Sequence, residues 1–83
     1  MVSTHEITGF TGNGIDEISA IVVFKDPLYN FISEKKYTGT IEQLNGMTLI
    51  QIKNYIMNQI TAEKLAIDNY NVTLSKLQNA LNN

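Results

Sequence analysis

From Leu49 to Leu81 large apolar side chains recur at heptad spacing: Leu49, Ile56, Ile60, Ile67, Tyr70, Leu74, Leu77 and Leu81. Lys53 and Glu63 fill the positions where the repeat expects further apolar groups. A stripe with this period is one face of an amphipathic helix and must be covered by something. The rest of the chain is short. With 83 residues in all, one core barely sustains itself, because small domains bury only about 60% of the surface their unfolded chains expose. Disulfides, a metal or oligomerisation usually make up the difference. Cysteine is absent and His5 is the sole histidine, so neither a disulfide nor a thiolate metal site is available. Oligomerisation is the remaining device. The stripe is accordingly read as a homo-oligomer interface made by Ile56, Ile60, Ile67, Tyr70, Leu74, Leu77 and Leu81, with no cofactor and no metal expected.

The chain carries eight acids and six lysines, for a formal net charge of -2, and contains no arginine. Nucleic-acid readers cluster basic side chains on one face and favour Arg for guanine edges and minor grooves, so direct nucleic-acid binding is not expected. The acids are also too sparse to mimic a phosphate ladder. The longest unbroken apolar run is Ala20 to Phe24, far below the roughly 18 residues of a membrane span. The N-terminus shows no basic segment leading into an apolar one. A soluble protein of the cytoplasm, or a virion component, is expected. The excess of Asn, Ile, Lys and Tyr over Arg and Trp is the composition of an AT-rich genome, such as a low-GC bacterium or its phage.

Ahead of the stripe, Thr4 to Phe10 and Glu17 to Lys25 have the composition of strands and flank the turn-rich stretch Thr11-Gly12-Asn13-Gly14. A two-residue type I′ turn at Asn13-Gly14 suits the twist of a hairpin and would set Ile7 opposite Ala20. Ile18, Ala20, Val22 and Phe24 share one face of the second strand, and Ile21 and Val23 make its other face apolar as well. The glycines of this region do not form a phosphate loop: the spacing is wrong, no Lys follows, and a strand stands where a helix is needed.

Asp26-Pro27 followed by Leu28, Phe31 and Ile32 fits an N-cap, a first-turn proline and a short amphipathic helix, leaving Ser33 to Lys36 as a solvated exit. A third strand is predicted over Tyr37 to Glu42, with Gly39 as a bulge; Thr40 and Gln43 also have capping-box spacing, which makes a helical turn the alternative there. Asn45-Gly46 closes this part. Thr48 with Gln51 then starts the helix. Asp68 to Thr73 is a run of weak helix formers, yet Ile67, Tyr70 and Leu74 keep the register across it, which favours one continuous helix over a hairpin capped by Asn71 or Thr73.

The expected fold is therefore α+β in a single domain, residues 1–83: a small antiparallel N-terminal sheet, made of a hairpin and a third strand within 1–46, followed by a long helix or helical hairpin within 47–83. Lys53 and Glu63 are read as edge residues with solvated charges, the alternative being pairing across a symmetric interface. No catalytic set emerges. His5 with Ser3 or Ser19 and Asp16 lacks the buried, oriented setting that general-base work needs, and no enzymatic role is expected. Two functions remain. One is a homo-oligomer that binds another protein, in a structural or a regulatory, inhibitory role, through the hairpin and the Asp26 to Lys36 segment with its exposed aromatics Tyr29 and Phe31. The other is an oligomer that sequesters a small polar, nucleotide-like ligand between subunits, using amides near Asn13 with Lys35 and Lys36.

Overall fold

The computed structural model describes residues 3–26 and 31–82, with the side chains of 31 and 32 excepted. Three strands, β1 (Thr4–Gly12), β2 (Glu17–Asp26) and β3 (Phe31–Thr40), form an antiparallel sheet in the order β1-β2-β3. A short helix α1 (Ile41–Asn45) and the long helix α2 (Leu49–Leu81) follow. The fold is α+β, as the hydrophobic patterning predicts.

β2 lies in the middle because it is apolar on both faces, and it is bordered on each side over its length. That demand for partners explains the main departure from expectation. Residues 31–36 are not a helix or a solvated exit; they are the first part of β3, which pairs with β2 without a break from Asp26↔Phe31 to Glu17↔Thr40. A helix there would leave the β2 backbone groups near Val23 to Asp26 without a ladder on that side. The proposed N-terminal portion of that helix, Pro27 to Asn30, lies outside the described residues, as do Leu28 and Tyr29.

At the other end of the sheet the two-residue turn is also replaced. Ile7 stands opposite Val22, not Ala20, and the register shifts between Ile7 and Gly9, with Thr8 as the extra residue of a bulge. The connection runs over Asn13 to Asp16. Its geometry is set by the Asn13 carboxamide oxygen, which accepts the backbone N–H groups of Ile15, Asp16 and Glu17 at 2.9, 3.0 and 3.1 Å. Gly14 supplies the left-handed backbone, with φ 78°.

β3 ends at Thr40, whose hydroxyl accepts from the Gln43 N–H and caps α1, so Ile41 and Glu42 are helical and not the end of a strand. Gly39 is no bulge. It lies against the Leu44 side chain, where a Cβ would approach within 3.0 Å. The Thr48–Gln51 capping box forms as read, with both reciprocal hydrogen bonds. α2 runs unbroken for 33 residues, through the weak segment, where the Thr73 hydroxyl donates to the Asn69 carbonyl at 2.9 Å.

Alternation along the strands puts His5 and Ile7, then Val22 and Phe24, then Lys35 and Tyr37 on the face that carries α2. The core between them is Val22, Phe24, Ile60 and Ile67, with Tyr37, Ile56 and Met57 packed around it. Phe24 and Tyr37 meet edge to face, with ring centroids 6.4 Å apart. Polar ties fix the helix across this face. Ser3 gives its N–H to Asp68 at 2.8 Å and its hydroxyl to the Lys64 carbonyl at 3.1 Å, and Lys35 is paired with Glu63 at 2.9 Å.

Candidate functional site

The heptad stripe is divided by this packing. Ile60 and Ile67 are buried under the sheet and Ile56 packs beside them, so this middle stretch of the stripe has its cover within the chain, while its first residue, Leu49, is 85% exposed. Glu63 falls in the same stretch and pairs with Lys35 of β3, which gives it an intrachain partner in place of the symmetric one. The hydrogen bond to Glu63, with its negative charge behind it, holds the Lys35 pKa above the ordinary lysine range. Lys53 is exposed.

Beyond Asp68 the stripe continues on the same face of α2. There Tyr70 is 68% exposed, Leu77 56% and Leu81 76%, while Leu74 is half-buried. A heptad repeat drifts by only about 20° per seven residues on a straight helix, so these four side chains still look toward the side on which the sheet lies. They form a three-turn apolar strip beyond Ile67, the last core residue of α2.

A second apolar surface lies at the opposite end of the molecule, where the β1–β2 connection meets the start of α1. Ile41 gives its N–H to the Asp16 carbonyl at 2.8 Å and so draws α1 against the hairpin. Phe10, Gly12, Ile15, Ile18 and Ile41 line a shallow recess of about 520 Å³ there. Phe10 is 75% exposed and Ile15 85%. Asn13 shapes this end through its backbone contacts. Ile15 could have been noticed in the sequence: an isoleucine between Gly14 and Asp16 stands in a turn, where no strand face can bury it. Phe10 belongs to β1, and its exposure is a matter of tertiary packing that residue type does not reveal.

The remaining candidates are scattered. Lys35 and Lys36 point to opposite faces of β3, as neighbours on a strand must, and Lys35 is engaged by Glu63; they do not converge on one ligand. Phe31 begins β3 opposite Asp26, and Tyr29 lies outside the described residues. His5 sits in β1 with its Nδ1 3.3 Å from the Lys64 ammonium, while the Ser3 hydroxyl is donated to a backbone carbonyl, so these two do not form a nucleophile–base pair. Among the described residues no group of His, Cys, Asp or Glu side chains is placed to hold a metal ion. No helix among them is long and apolar enough to cross a membrane. Comparison with protein-family models, with curated proteins and with solved structures finds no match to this chain.

Proposed function

We propose that the chain is a non-enzymatic interaction protein that self-associates through the distal half of α2 and offers its hairpin end to another protein. The observation that carries this reading is the overhang of the stripe: one apolar face is buried at Ile60 and Ile67 and exposed beyond them at Tyr70, Leu77 and Leu81. Tyr70, Leu74, Leu77 and Leu81 keep the spacing of a packing seam, Tyr70, Leu77 and Leu81 are exposed, and a seam of this kind is completed by another helix. The recess bordered by Phe10, Ile15 and Ile18 has the mixed aromatic and aliphatic character of a protein-binding patch. It lies at the far end from the seam, so self-association leaves it open.

The test is the absolute mass by light scattering after size exclusion, over a range of concentrations and at low and high salt. A mass rising from the 9.3 kDa protomer toward a multiple of it, and insensitive to salt because an apolar seam is not screened, is the expected result. A protomer mass at every concentration would overturn the reading.

A further inference from the structure

We infer that the occupant of the distal seam is a second copy of this chain, laid antiparallel about a two-fold axis near Ser75-Lys76, with Tyr70 against the partner's Leu81 and Leu74 against the partner's Leu77. The inference deepens the self-association proposed above and rests on it; the geometry of the protomer supplies the rest.

The first constraint is steric. Ile56, Ile60 and Ile67, which hold the sheet, and Tyr70, Leu74, Leu77 and Leu81, which overhang it, belong to one stripe. In a parallel, in-register pair the stripes would face each other along their whole length, and two sheets would have to occupy the space between two helices. The helices could then touch past Asp68 only by splaying sharply there, and α2 is one unbroken helix through that point. An antiparallel pair has no such conflict among the described strands. Each overhang pairs with the other, and the described strands of each sheet, packed on α2 at Ile56, Ile60 and Ile67, lie outside the paired segment.

The second constraint is length. The Ser3 ties to Lys64 and Asp68 mark where the N-terminal strand is fastened to α2, and the helix ends at Leu81 with Asn82 as its C-cap. The segment from Tyr70 to Leu81 spans about 18 Å at 1.5 Å per residue. In the antiparallel register the last turn of one overhang comes to the first turn of the other, so every large side chain of the seam meets one from the partner: the spacing of the stripe is its own complement under a two-fold axis.

Charge permits the pairing. From Asn69 to Asn82 the one charged side chain is Lys76, two positions after Leu74 and one before Leu77, and therefore off the seam. The flanking positions are Asn71, Thr73, Gln78 and Ala80, which are neutral, so no like charges oppose one another along the contact. Four large side chains from each protomer, with these flanks, bury on the order of 1,000 Å², the lower edge of a specific interface. The dimer is accordingly concentration-dependent.

The chain has no cysteine, so single substitutions accept a nitroxide label at one place only. Asn58→Cys and Asn79→Cys, both at exposed positions of α2, are labelled and the distance between the two protomers' labels is measured by pulsed electron resonance, with the mass of each sample taken by light scattering. The antiparallel pair places the Asn79 labels near the axis, under about 30 Å apart, and separates the Asn58 labels by about 50 Å along the helices. A dimer in which both positions report the same axial offset is parallel and overturns the inference while leaving self-association intact. A dimer with short distances at neither position is joined through another surface, such as the hairpin end, and overturns it also. A protomer mass at the labelling concentration removes the self-association on which the inference rests.

Discussion

At the residue scale, Tyr37 is a side chain whose place in the fold leaves its polar group unsatisfied. Its ring is half-buried against Phe24 and the core, and its hydroxyl is buried with no hydrogen-bond partner among the described residues. A buried donor without an acceptor costs stability, whereas an apolar group of the same shape does not. Tyr37→Phe should therefore be neutral or stabilising, by about 1 kcal/mol, in chemical denaturation near neutral pH. The same residue shapes the alkaline limit. Burial, with a smaller push from the Glu63 carboxylate, raises the phenol pKa, against a partial offset from Lys35. The folded chain thus keeps this proton after the unfolded chain has lost it. Its contribution is complete below the ordinary phenol value of about 10 and fades as pH rises through the folded value. Lys35, raised by its hydrogen bond and charge pairing with Glu63, acts in the same direction. Stability should decline above a pH of about 10, and the decline should be shallower in Tyr37→Phe, with the Lys35 share remaining. An unchanged slope in that variant would show that the phenol is not the group responsible.

At the scale of elements, the parts that were legible in the sequence are those with local determinants. The Thr48–Gln51 box, the strand pattern of β2 and the unbroken heptad register across Asp68 to Thr73 depend on neighbours in the chain, and each appears in the structure where the residues put it. The parts that were not legible depend on distant backbone. Nothing between Asp26 and Lys36 announces a strand, because Pro27 and the charges of Glu34, Lys35 and Lys36 mask it; β3 forms there because β2 needs a second ladder. Likewise the four-residue connection after Gly12 reflects the Asn13 side chain gathering three backbone N–H groups, a local bond that residue type alone does not distinguish from a tighter turn. Gly39 is the sharpest example. In the sequence it reads as a bulge, and in the structure it is the floor on which Leu44 of α1 rests, with the Leu44 side-chain atoms 3.0 to 3.1 Å from where a Cβ would be. Gly39→Ala should cost about 1–3 kcal/mol by overpacking. The cost should fall in a Leu44→Ala background, because the two changes share one space. Equal costs in both backgrounds, measured by denaturation, would mean that Leu44 moves aside freely.

For the whole molecule, the telling quantity is shape. The radius of gyration is 16.3 Å and the extents are 55 × 21 × 15 Å, against about 12 Å expected of a compact chain of this length. The excess is α2, whose first half is held by the sheet and whose second half overhangs it. The buried apolar core is correspondingly small, Val22, Phe24, Ile60 and Ile67, and the two halves of one stripe should answer differently to substitution. Ile60 is fully buried; Ile60→Ala should cost about 2–5 kcal/mol, enough to unfold much of so small a domain. Leu74→Asp with Leu77→Asp places charge on side chains that the protomer itself leaves open or half-open. In dilute solution the double variant should keep its helix and sheet signals in circular dichroism, losing only the roughly 0.7 kcal/mol per residue by which Asp is the poorer helix former. In concentrated solution it should remain a protomer where the parent chain associates, since two carboxylates would be set against apolar groups and each other across the two-fold seam. Light scattering and circular dichroism on the same samples separate the cases. If the double variant associates like the parent, the overhang is not the seam; if it unfolds in dilute solution as Ile60→Ala does, the distal stripe belongs to the protomer's own core.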